Sequence, residues 1–159
     1  MSVTAELQLR SFVLLPLDNR KVALPAESVI ELVAQGRLQK FPNQTPWITG
    51  VIIRRGRVVP VCDVSQLFGE GSPMPGRFYL VAEWKIGKVR DWCAIPVVQE
   101  CELANAESYS PIDASAETRA AHVVGTLRAG EEEIEVLDMG KLIAEFQRNT
   151  TTIGTEPAP

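Results

Sequence analysis

The feature that most constrains this chain is an internal repeat. Sliding the sequence along itself by 75 positions brings Gly50 onto Gly125, Val61 onto Val136, Asp63 onto Asp138 and Leu67 onto Leu142. Across the same shift Ile52/Leu127, Val59/Ile134, Cys62/Leu137, Val64/Met139 and Phe68/Ile143 keep apolar character. Each copy reads as a strand, a charged tip, a second strand ending in aspartate, and a short amphipathic helix. A two-stranded ribbon alone is only marginally stable in water, so each copy must curl with neighbouring strands into a small closed β structure whose open end the trailing helix can plug. Two copies predict two small barrels. Asp63 and Asp138 stand where a strand gives way to a helix, the place where a carboxylate accepts the free N–H groups of a first turn. As equivalent members of separate copies they are expected to stand apart rather than to act as a paired acid and base.

Strand signals dominate the rest of the chain. Residues 7–17, 21–25, 27–33, 47–53, 57–64, 77–84, 88–98, 122–128 and 133–139 are rich in β-branched and aromatic side chains, and Gly, Pro and Asn bound them. Helical signals are short: a turn or two after Ser65 closed by Gly69, the stretch 114–121, and 140–147 with Leu142, Ile143 and Phe146 on one face. Loops are expected at 16–20, 35–46, 69–76 and 104–114. The stretch GEGSPMPG (69–76) is the strongest break and sets the boundary between halves. The expected organisation is an N-terminal segment 1–8, a first module 9–72, and a second module 73–147 whose C-terminal helix is free to pack back on the first. The tail 148–159, with little to bury, is expected to be disordered.

Charge and composition exclude several function classes. A chain of 159 residues with 45% hydrophobic and 23% charged residues supports a real core. No apolar run approaches the roughly 20 residues that span a bilayer, and the start lacks a basic segment followed by an apolar stretch, so a cytoplasmic protein is expected. Three cysteines, Cys62, Cys93 and Cys101, make an odd number without C-x-x-C spacing and read as buried free thiols rather than a disulfide framework or zinc site. An enzyme would have to use Cys93 or Cys101 with the one histidine, His122; more simply, His122 stands at a strand entrance. No phosphate-binding loop, metal-ligand cluster or nucleophile elbow is present, so neither cofactor nor metal is expected.

The two hairpin tips differ in sign. The first carries Arg54, Arg55 and Arg57, and the second carries Glu131, Glu132, Glu133 and Glu135. A nucleic-acid module using the arginines, with Trp47 as a stacking platform, is the alternative reading. A net charge of −4 and a pI near 5.1 speak against it, because such binders carry a basic face on a basic whole. Opposite charges at separate places suit head-to-tail assembly instead.

The block GVIIRRGRVVPVCDV (Gly50–Val64), preceded by Pro46, resembles the pattern P-x-x-x-x-G-V-x-N-L-R-G-x-[IV]-[IVL]-P-[IV]-x-D-L of CheW-like domains, the coupling proteins of bacterial chemotaxis. SVIELV upstream is similar to the family's valine-x-glutamate-isoleucine strand, and VLDMGKL downstream to its closing L-D-x-x-K-L. The likeness spans roughly residues 10–146. Three departures stand out: Pro46 lies one residue closer to the glycine, Ile53 and Arg54 replace the family's N-L, and Trp92–Ile95 with Pro96 replace its second-half G-x-x-V-D.

The resemblance implies a mainly β fold of two small SH3-like five-stranded β-barrel subdomains with short helices and a hydrophobic groove between them. It implies a non-catalytic scaffold that couples chemoreceptor signalling tips to a CheA-type histidine kinase, in chemotaxis or a related system such as one driving type IV pili. Such a protein would work in the cytoplasm at membrane-associated receptor arrays, with other CheW-like domains as further partners in rings and neither nucleic acid nor membrane insertion. The groove residues carried over are Val29, Glu31, Leu32, Gly50, Arg55 and Gly56, with Glu31 and Arg55 expected to form an ion pair. Arg54, Arg57, Glu131, Glu132 and Glu133 are the expected kinase or assembly contacts.

Overall fold

The computed structural model describes residues 11–17, 20–34, 39, 48–64, 77–105, 108–111 and 122–145. The expectations for the N-terminal segment, Trp47, the helices near 65–68 and 114–121, the break at 69–76 and the tail lie outside the described residues.

Alternating apolar runs become strands β1 (Ser11–Pro16), β2 (Lys21–Pro25), β3 (Val29–Ala34), β4 (Ile48–Arg54), β5 (Arg57–Cys62), β6 (Phe78–Ile86), β7 (Val89–Val97), β10 (Val123–Ala129) and β11 (Glu132–Leu137). All nine lie where the sequence places them. Between them stand two four-residue strands, β8 (Glu102–Asn105), which runs into the stretch 104–114 read as loop, and β9 (Ser108–Pro111), which lies within it. Neither ELAN nor SYSP carries an apolar run, and each is recruited by pairing along one side of an existing sheet. Residues 139–145 form a helix, α1.

The strands make a six-stranded sheet ordered β8-β1-β2-β11-β10-β9 and a five-stranded sheet ordered β3-β6-β7-β5-β4. The repeat is carried into the backbone residue for residue. In the β4–β5 hairpin Ile48 pairs with Cys62 and Gly50 with Val61 around a bulge; in β10–β11, Val123 pairs with Leu137 and Gly125 with Val136 around the same bulge. Each second strand then joins another hairpin in parallel, Val61 beside Ala94 and Val136 beside Ala23.

Those parallel joins correct the expected division at residue 72. β6 and β7, from the second half, complete the sheet of β3, β4 and β5, while β1 and β2, from the first half, complete the sheet of β8 to β11. The two halves exchange their leading hairpins. Periodicity shows that β1–β2 and β6–β7 each need a sheet to join. It cannot show which, because in a duplicated chain the two candidate sheets are chemically near-equivalent. The expectation of five strands per module is also corrected on one side, where β9 adds a sixth.

Apolar side chains fall into three layers. Ile52, Val59, Val61, Tyr79, Val81 and Ala94 fill the inside of the five-stranded sheet, with Ile30 and Val33 of one edge strand packed against them. Phe12, Leu14, Ala23, Leu127, Ile134 and Val136 fill the inside of the six-stranded sheet, where Phe12 and Tyr109 stack with ring centroids 5.5 Å apart. Both edges of each sheet thus feed one interior, so each sheet curls like a barrel. The opposite faces meet in a shared layer that includes Leu15, Val22 and Leu24 from one sheet and Leu80, Cys93 and Ile95 from the other. Central strands with both faces covered explain runs such as YLVA and CAIPV, which are continuous rather than half polar.

Asp138 caps α1 as expected, its Oδ1 accepting the Lys141 N–H at 2.9 Å. The helix does not plug a barrel end, however. Met139, Leu142 and Ile143 lie in the shared layer, since that layer has apolar surface to cover on both sheets. Asp63, the equivalent of Asp138, is buried.

Candidate docking surface

The site builds outward from the β4–β5 turn. Arg55 (φ 52°) and Gly56 (φ 76°) both have left-handed backbone, the form of a two-residue type I′ turn that matches the twist of the flanking strands. Arg54 and Arg57 sit opposite one another as the last pair of the ladder. Arg54, two residues on from Ile52, emerges on the inner side of the five-stranded sheet.

Glu31 reaches the same place from β3, the opposite edge of that sheet. A bulge between Val29 and Glu31 is the cause: Val29 stands opposite Ala82 on the shared-layer face, whereas Glu31 stands opposite Val81 on the inner face. Regular alternation would have put Glu31 on the side of Val29. The bulge carries the carboxylate to the mouth of the barrel, where Arg54 forks onto it. Arg54 Nε donates to Glu31 Oε1 at 2.9 Å and Nη2 donates to Oε2 at 3.1 Å. β3 and β4 share no ladder, so this fork clasps the open seam of the sheet.

The expected Glu31–Arg55 ion pair is present, with Arg55 Nη2 3.5 Å from Glu31 Oε2, and the structure adds Arg54 to it in the bidentate role. Arg55 is the more exposed of the two cations, its side chain 64% exposed against 36% for Arg54. Hydrogen bonding from Arg54 holds the Glu31 carboxyl below its ordinary range; burial pushes the other way, and the charges of Arg54 and Arg55 add to the lowering. The same hydrogen bond raises Arg54.

Arg57 is engaged as well. Its Nη2 donates to Asp91 Oδ1 at 3.0 Å and its guanidinium lies 3.9 Å from the Trp92 ring centroid, a cation–π stack on the rim of the barrel interior. Every arginine of the tip therefore has a carboxylate neighbour.

The remaining expected residues divide between buried and exposed. Val29 is half-buried against the shared layer, and Leu32, on the same face of β3, is exposed. Gly50 is buried beside the β4 bulge and offers no surface, whereas Gly56 is exposed in the turn. Sequence reasoning missed two exposed apolar residues at the tip, Ile53 and Val58, which face each other across β4–β5 at 53% and 63% exposure. Their place one residue outside Arg54 and Arg57 in alternating strands was the available signal.

On the other sheet Glu131, Glu132 and Glu133 are exposed at the β10–β11 tip. Glu132, Glu133 and Glu135 line a cleft of about 770 Å³ together with Arg20 and Lys21, over the buried Leu17 and Ile134. Arg20 lies 4.0 Å from Glu135.

Cys93 and Cys101 sit where the thiol form is favoured. A hydrogen bond with Cys62 and then burial push the Cys93 thiol well up, and burial lifts Cys101 to about 11; a thiolate nucleophile needs the reverse. His122, buried, bonds Glu145 of α1 through Nδ1 at 2.5 Å. Among the described residues no cluster of His, Cys, Asp and Glu could hold a metal ion, and no helix is long and apolar enough to cross a membrane.

Two known proteins are similar to this chain. Protein FrzA of Myxococcus xanthus is 25% identical over 130 residues, which are 77% of this chain and 78% of FrzA. The crystal structure of the scaffolding protein TtCheW from Thermoanaerobacter tengcongensis superposes with a TM-score of 0.68 at 22% identity, covering 84% of this chain and 91% of TtCheW. The family model for the CheW-like domain matches residues 11–147, a span that takes in both curled sheets, the clasped seam and α1. The chain belongs to the CheW-like domain family.

Proposed function

We propose that the protein is a non-catalytic adaptor that couples chemoreceptor signalling tips to a CheA-type histidine kinase, in chemotaxis or a related system such as one controlling type IV pili. It works in the cytoplasm, at membrane-associated receptor arrays. The reading is supported by membership of a family of chemosensory coupling scaffolds and, most directly, by the edge strand β3. That strand presents Val29 and Leu32 along the rim of the shared layer while the Glu31–Arg54 fork on its other face holds it in place. An apolar ridge on a clasped edge offers a partner helix contact without a large ordering cost. Gly50 serves this ridge from inside by letting β4 bulge, and the Arg55–Gly56 turn places the clasp. Arg54 and Arg57 act here by shaping the tip, and Glu131, Glu132 and Glu133 remain available to the kinase or to other CheW-like domains in rings.

The test is binding of the full chain to the host cell's receptor-tip hairpin and to its kinase, followed by calorimetry. Leu32→Glu should weaken receptor binding roughly tenfold or more, by placing a charge in the apolar contact, and should leave the melting midpoint and kinase binding intact. Receptor affinity unchanged in that variant would refute the assignment of β3.

A further inference from the structure

The short strand β8 at the edge of the six-stranded sheet is an internal copy of β3. A shift of 71 positions carries Glu31 onto Glu102, Leu32 onto Leu103 and, further along, Gln39 onto Ser110. The backbone bears the match out. Glu31 and Leu32 stand opposite Val81 and Leu80 of β6, and Glu102 and Leu103 stand opposite Leu14 and Val13 of β1. β6 and β1 hold the same place, each one strand removed from a parallel join. Gln39 bridges to Val51, and Ser110 pairs with Thr126, the residue 75 positions beyond Val51.

The copied edge carries an exposed leucine and an uncountered charge. Leu103 stands opposite Val13, which packs against the shared layer, and at 71% exposure it is the most exposed large apolar side chain among the described residues. The turn 26–28 that leads into β3 touches β1, the neighbour of β8. Both leucine edges therefore border one apolar strip, with the half-buried Val13, Val29 and Cys101 along it. On β3 the Glu31 carboxylate is countered by Arg54 and Arg55. The second copy has Ala129 and Gly130 at those places, and Glu102 is exposed, as is Glu100 two residues before it. β8 ends its sheet, so no further strand covers its outer side. A helix lying on such a strip gains from Lys or Arg along the margin above β8, because their stems rest on apolar surface while their heads reach carboxylates around a single strand.

We propose that β8 is the second bank of the docking strip and sets its charge selectivity: the helix that seats there meets Leu32 and Leu103 with its apolar face and carries Lys or Arg along the margin over Glu100 and Glu102. The inference rests on the adaptor reading above and deepens it by naming the chemistry of the partner helix. An acidic margin would set like charges together, so helices of that kind are rejected.

Calorimetric titration of the full chain with the host cell's receptor-tip hairpin, at low and at high salt, tests this alongside thermal melts. Leu103→Ser should weaken binding roughly fivefold. E100Q/E102Q should weaken it roughly threefold at low salt and flatten its salt dependence. Both variants should keep the wild-type melting midpoint, since these side chains are exposed. Charge reversal gives the sharper readout: E100K/E102K should bind the native hairpin poorly, and should bind well a hairpin whose Lys and Arg on that margin are changed to Glu. Wild-type affinity in Leu103→Ser, or in E100Q/E102Q at low salt, overturns the proposal. If those variants bind normally while Leu32→Glu does not, this inference alone falls. If Leu32→Glu also binds normally, or the wild-type chain does not bind the hairpin, the adaptor reading falls with it.

Discussion

At the scale of the residue, Glu31 shows how two neighbouring cations set one carboxylate. Its folded-state pKa lies below the ordinary value of 4.5, chiefly through the Arg54 hydrogen bonds. The stabilisation is therefore present in full above pH 4.5 and is lost as pH falls through the lowered value. Glu31→Gln should cost about 1 kcal/mol at neutral pH, a modest figure because solvent still reaches the pair. Its stability should converge with that of the wild type as the buffer is taken below about pH 4.5; denaturant melts across that range check it, and a gap independent of pH would contradict the clasp. That Glu31 would meet an arginine of the tip was legible in the motif. That Arg54 would add a two-pronged contact was not, because it depends on a bulge in β3 that shifts Glu31 to the inner face, and no residue of VIELV announces a bulge.

At the scale of the element, α1 is held at three points. Asp138 caps its first turn, His122 Nδ1 donates to the Glu145 carboxylate, and the backbone N–H of Asp138 donates to the His122 carbonyl at 3.0 Å. Its start lies so close to the end of β6 that a methyl at Gly140 would collide with the carbonyl oxygen of Lys85. A backbone oxygen in a ladder cannot step aside as a flexible side chain can. Gly140→Ala, though favourable for an isolated helix, should therefore destabilise the protein by roughly 1–3 kcal/mol, read by urea unfolding; an unchanged or raised midpoint would show that α1 can shift on the shared layer. The helix, its cap and its apolar face were all legible from Asp138, Leu142 and Ile143. Its seat was not, since an amphipathic face specifies that it must be covered and leaves open by what.

At the scale of the whole molecule, the exchange of leading hairpins makes the two halves interdependent. Each sheet contains strands from both sides of residue 72, joined through the parallel β5–β7 and β2–β11 pairings. A chain cut between residues 72 and 73 should give two fragments that stay unfolded or aggregate separately, because each would expose faces meant for the other's strands. Expressed together they should copurify as one folded complex. Circular dichroism and gel filtration of each fragment alone and of the pair decide the matter; two independently folded fragments would be incompatible with the exchange.

By itself the sequence determined the duplication, the hairpins with their charged tips, the Asp138 cap and the resemblance to the family. All of these follow from contiguous residues, whose periodicity and turn chemistry act over a few positions along the chain. Only the tertiary structure decided that the halves trade hairpins, that a third apolar layer joins the sheets, and that Arg54 joins Arg55 on Glu31 and takes the bidentate role. In a duplicated chain each strand has two near-equivalent places to pair, and the choice between them is made by the packing of all the faces at once.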